Sequence, residues 1–138
     1  MYKSGKSLFW IRLAYWLGII ADGIWAVGLF IPDVFRVLTG NHSFYPEWDV
    51  RSVMSIAGIL MTAWTVLLFW GVKSPIERRF VILLTAFIVL GVFLVALISV
   101  LKGNTHEIWI LLKTTVLFVS MISSFVLATR ISKANKPI

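Results

Sequence analysis

Asp22 is the first acidic residue of this 138-residue chain, and it sits in an otherwise uncharged run, Gly18-Ile19-Ile20-Ala21-Asp22-Gly23-Ile24-Trp25-Ala26. A charge at mid-bilayer costs at least ~2.5 kcal/mol on insertion scales, so such a residue normally faces protein or water, takes a partner and serves a function. Its chemistry is that of a proton or cation site. Lys113 lies inside the last apolar run. An Asp22–Lys113 ion pair would neutralise both; the alternatives are a Lys113 that snorkels to the surface and an Asp22 satisfied by water or hydroxyls.

Hydroxyls supply the rest of the polar inventory. At helical spacing Ser55, Gly58, Thr62 and Thr65 share one face, and Lys113, Ser120 and Ser124 share another. These groups either line a polar interior or bond back to their own helices. Trp25 and Trp64 lie deeper than an interfacial belt, where each indole N–H needs an acceptor; they fill a core or wall a binding cavity.

Other chemistries find little support. The chain has no cysteine, which excludes disulfides, thiol redox and thiolate metal sites. His42, Glu47, Asp49, His106 and Glu107 all fall on one expected side, but their spacing matches no metal motif. Neither histidine is placed for haem ligation between helices. No nucleophile-and-base set, phosphate loop or carboxylate pair is present, so neither a cofactor nor enzyme activity is expected. A lipid-directed enzyme using His42 or His106 is the remote alternative. The +7 formal charge lacks the aromatic interleaving of a nucleic-acid surface, and nucleic acid is not an expected partner.

The elements that must position Asp22 follow from hydrophobicity. Hydrophobic residues make up 59% of the chain, against roughly 45–50% in soluble domains. The expectation is one transmembrane domain over residues 1–138: an all-α membrane protein with four transmembrane helices in an antiparallel bundle. The spans fall at about 8–31, 50–71, 75–101 and 105–131. The first is too long for a signal peptide and lacks a cleavage site. Pro32 interrupts it, and Asp33 to Leu38 continues as a kinked or interfacial turn stopped by Gly40-Asn41. Asp49 is the expected N-cap of the second span. Ser74-Pro75-Ile76-Glu77 reads as cap, N1 proline and N3 glutamate for the third. Gly103 fits C′, with Asn104 or Thr105 capping the fourth span and Glu107 in its first turn.

On the first span Ala14, Gly18, Asp22 and Ala26 recur every four residues, a small-residue face for close packing. The third span, with only Thr85 and Ser99 polar, is the expected lipid-facing or subunit-facing helix. A homo-oligomer would form through it or through the small-residue face. Counting inward from Leu13 and Val53 places Asp22 and Thr62 each roughly 13 Å deep, near the midplane. Nine Lys and Arg, including Arg78, Arg79, Arg130 and Lys133, fall on the side of the termini and four on or near the other. The positive-inside rule makes both termini cytoplasmic in a cell (inner) membrane and argues against dual topology.

The pattern Arg12-x-x-Tyr15-Trp16-x-Gly18-x-x-Ala21-Asp22, then Trp64-Thr65-Val66-Leu67-Leu68-x-Trp70, then Pro75-x-Glu77-Arg78-Arg79 resembles a family of small four-span prokaryotic membrane proteins. The resemblance covers about three spans, implies the four-span fold and ties Asp22 to the Trp64 and Arg78-Arg79 region; it implies no activity or cofactor. The plan, four short spans with an acid in the first, is also similar to small multidrug transporters, but the charge bias departs from them.

Two functions follow from these residues. In one, spans 1, 2 and 4 enclose a polar site for a small solute, ion or amphiphile, with Asp22 as its charge, in a transporter, channel or binder. In the other, an Asp22–Lys113 clamp locks a non-transporting accessory subunit.

Overall fold

The structure, a computed structural model, describes residues 4–103 and 108–134. It is all-helical over these residues: α1 Ser4–Phe30, α2 Pro32–Thr39, α3 Trp48–Lys73, α4 Arg79–Leu101 and α5 Ile108–Ala134. α1, α3, α4 and α5 are long and apolar enough to cross a membrane, and α1, at 27 residues, spans about 40 Å at 1.5 Å per residue. That exceeds the roughly 30 Å hydrocarbon core. The surplus accommodates interfacial Trp10 and Trp70, which are exposed, and the basic residues beyond them.

Small residues set the packing. A Cβ added at Gly18 would lie 3.1 Å from Met121 Cε of α5 and 3.3 Å from Leu68 Cδ1 of α3. Glycine admits both side-chain ends without their having to shift. Ala14, Gly18 and Ala26 are buried, so the small-residue face of α1 is directed into the bundle, between α3 and α5. At Gly71 a Cβ would come within 2.6 Å of the Tyr15 ring, and at Gly58 within 3.1 Å of Phe30. These contacts run in opposite chain directions, which fixes α1 and α3 as antiparallel. α1 packs closely on α3 and α4 on α5; α1 meets α5 along part of its length, and the α3–α4 seam is loose. The core is Ile11, Ala14, Tyr15, Ile19, Leu68, Val81, Ile82, Ala86, Val89, Met121 and Ala128.

The connections differ from expectation in instructive ways. Ile31 is extended (φ −116°, ψ 102°) with Pro32 at the start of α2, because a residue before proline is pushed out of the α region. α2 is therefore a separate helix, ended by Gly40 at φ 70°, and it docks on α1 where Gly28 faces Phe35 and Leu38. α3 begins after Glu47, with no side-chain cap, and Asp49 lies in its first turn; the expected Asp49 cap is displaced by two residues. Ser74 to Glu77 does not open α4 either. It forms a turn closed by Arg78 N–H to the Ser74 carbonyl at 3.0 Å, and α4 starts at Arg79 without a side-chain cap. The reason is tertiary. The Arg78 carbonyl, needed at the helix entrance, also accepts from Tyr15 Oη at 2.8 Å. Gly103 adopts φ 98° and its N–H reaches the Val100 carbonyl at 2.9 Å, as expected of C′. The Asn104, Thr105 and Glu107 expectations lie outside the described residues.

α4 is not simply a lipid-facing helix. Val81, Ile82, Thr85, Ala86, Val89 and Ala96 are buried, while Phe87, Val95 and Leu101 on its other side are exposed.

Candidate functional site

Asp22 is partly buried on the inward face of α1, one turn from buried Gly18 and one from buried Ala26. Among the described residues the Arg36–Asp33 pair is the only ion pair. Asp22 thus has no basic partner, and the Asp22–Lys113 ion pair is not formed. Lys113 is exposed. The α1–α5 register explains this: Gly18 meets Met121, which puts Lys113 level with Ala26, one turn or about 6 Å beyond Asp22.

The α1–α3 contacts shift a second expectation. With Gly18 on Leu68 and Gly58 under Phe30, Asp22 is level with Thr65, and Thr62 with Trp25. Counting depth from Leu13 and Val53 misplaced Thr62 by three residues, because the α1–α3 register is set by the packing of Gly18, Gly58 and Gly71 and not by where the apolar runs begin. Thr62 is exposed, Thr65 partly buried. Both hydroxyls return to their own helix, Thr62 to the Gly58 carbonyl and Thr65 to the Met61 carbonyl, each at 2.8 Å. Ser55 does the same to Arg51 at 2.9 Å.

Trp64 and Trp25 face different neighbours. Trp64 Nε1 donates to Thr85 Oγ1 at 3.1 Å, and Thr85 Oγ1 donates to the Val81 carbonyl at 2.8 Å. This bond crosses the loose α3–α4 seam. Trp25 packs edge-on against Phe35, ring centroids 6.1 Å apart, so it supports α2 instead of walling a site around Asp22. Ser120 is partly buried, and its carbonyl accepts from Ser123 Oγ at 2.9 Å; Ser124 is buried. The α1–α3 register brings Asp22 level with Thr65, and the Trp64–Thr85 bond holds Thr85 near the same level, a polar layer on three helices; Ser120 is level with Ile19, three residues away.

Beside this layer lies an apolar groove of about 470 Å³ lined by Ile19, Ile20, Gly23, Ile24, Val27 and Val34. It is open to the outside and shares no lining residue with the layer. Among the described residues no three His, Asp or Glu side chains converge as a metal site; His106 and Glu107 lie outside them.

At the end of the bundle bearing the termini a second polar cluster was missed as such. Tyr15 is fully buried and binds the Arg78 carbonyl. The Arg78 guanidinium stacks 3.6 Å above the Trp70 ring and donates to the Trp70 carbonyl. Arg79 donates to Ser132 Oγ at 2.8 Å and to the Ile76 carbonyl at 3.3 Å. Four spans are thereby tied at one end. Tyr15, Trp70, Arg78 and Arg79 all belong to the sequence pattern quoted above, and Gly71, beside Trp70, was the signal for the close approach of Tyr15. Thr85 was legible only as an isolated hydroxyl.

No family model matches the chain, and no curated protein or solved structure matches it.

Proposed function

We propose that this polytopic membrane protein binds a small cation or cationic amphiphile within the bilayer, with Asp22 as the charge-bearing group, and that transport or channel function builds on that binding. The observation that supports this reading is an inward-facing carboxylate without a basic partner among the described residues, set in a small-residue face at the depth of Thr65 and Thr85. An unpaired charge at this depth costs stability, and a ligand cation supplies the missing partner. The Lys and Arg asymmetry supports the same reading with both termini cytoplasmic in a cell (inner) membrane.

The test uses the purified protein in liposomes with a labelled lipophilic monocation of the tetraphenylphosphonium type and, separately, rubidium. Asp22→Asn abolishes uptake and binding in this reading. Unchanged uptake of whichever probe the native protein handles removes Asp22 from the mechanism.

The accessory-subunit reading draws support from one observation: the hydroxyls of Thr62, Thr65, Thr85 and Thr114 all donate to their own helices, the bonding of side chains that serve packing. Its form changes, since the lock is the Tyr15–Arg78–Trp70 cluster and not Asp22–Lys113. Native protein that binds neither probe, with Tyr15→Phe melting lower and Asp22→Asn unchanged, favours it.

A further inference from the structure

The terminal end of the bundle carries Lys6, Arg12, Lys73, Arg78, Arg79, Arg130 and Lys133 against Glu77 alone among the described residues. None of these cations is in an ion pair, since the Arg36–Asp33 pair is the only one among the described residues and lies on the opposite connection. Orientation in the membrane needs only that such charges exist. It does not need them held in place. Yet Arg79 is restrained where α4 begins and α5 ends, donating through one terminal nitrogen to Ser132 Oγ and the Ile76 carbonyl. A guanidinium has five N–H donors in a fixed fork, so its other edge stays available. Lys133 follows Ser132 directly and is exposed.

Immediately along α4, Phe80 is 59% exposed and lies 6.1 Å, ring to ring, from Phe125 of α5. A fixed cation therefore stands directly above an apolar, outward-facing strip made by two helices. That arrangement has the polarity of an amphiphile with an anionic head. A soluble anion would use the cations and leave the strip without purpose.

We propose that the Arg79–Ser132 corner, with Lys133, binds the phosphate headgroup of an anionic phospholipid whose acyl chains lie along Phe80 and Phe125. Arg79 supplies a directed, bidentate-capable donor pair and Lys133 a mobile point charge. The site is independent of Asp22 and of whether the protein transports anything.

The experiment is thermal unfolding of the full chain in mild detergent, read from the fluorescence of its seven tryptophans, during titration with phosphatidylglycerol, phosphatidylcholine or inorganic phosphate. Phosphatidylglycerol raises the melting temperature saturably, while phosphatidylcholine and phosphate do not. Lys133→Gln, at an exposed position that leaves the fold intact, raises the phosphatidylglycerol concentration for half-maximal shift about fivefold, as one basic residue near an anionic lipid surface contributes. Arg79→Gln raises it at least as much, and Arg51→Gln on the opposite side does not change it. An equal shift with phosphatidylcholine overturns the proposal, as does a response to phosphate alone that matches the lipid. So does a Lys133→Gln midpoint within twofold of the native one.

Discussion

Asp22 and Tyr15 sit two turns apart on α1 and have opposite roles, which single substitutions separate. An unpaired carboxylate costs the fold, so Asp22→Asn should leave the melting temperature unchanged or higher while ligand binding falls, the usual exchange between stability and activity at a functional site. A fall of several degrees would instead mark Asp22 as structural. Tyr15→Phe keeps the buried ring and removes the bond to the Arg78 carbonyl, costing about 1 kcal/mol. Glycines give a sharper contrast. Gly71→Ala drives a Cβ to 2.6 Å from the Tyr15 ring, whereas at Gly91 nothing lies within 4 Å. Gly71→Ala should therefore lower stability by about 1–3 kcal/mol, the cost of overpacking, and Gly91→Ala should be neutral or stabilising, checked by paired melting curves.

At the scale of elements, the sequence made the four spans and α2 readable because apolar length and proline act locally. Pro32 and Gly103 each impose a backbone state whatever surrounds them. Entrances to helices were harder: Asp49 and Ser74 are good caps in isolation, yet α3 starts before the one and α4 after the other, and at α4 the turn is bonded from a distance by Tyr15 through the Arg78 carbonyl. The α3–α4 pairing was invisible for the same reason, because nothing local in Thr85 announces that Trp64 will reach it. That Lys113 stays apart from Asp22 depends on register, a quantity set by Gly18 and Met121 in contact and not by hydropathy. The seam itself is testable. A double-mutant cycle with Trp64→Phe and Thr85→Val should give a coupling of about 0.6 kcal/mol, typical of hydrogen bonds between membrane helices; zero coupling would mean that the seam is held by packing alone.

For the whole molecule, the charge asymmetry predicts a sidedness that a chain without cysteine makes simple to measure. Ser43→Cys, in the α2–α3 connection, should react with a membrane-impermeant maleimide in intact cells, and Lys133→Cys only after permeabilisation. The reverse pattern would invert the orientation. The uneven packing of the four spans has a further consequence for how the chain is made. Close partners α1 and α3 are both complete by Lys73, and α4 and α5 form a second close pair. Each half can thus be sheltered by its own partner as it leaves the ribosome, and a gene split within the turn at 74–78 should yield two co-expressed polypeptides that find each other in the bilayer. The shared ends, Tyr15 on one half and Arg78 on the other, would then serve as the recognition between two separately born pieces.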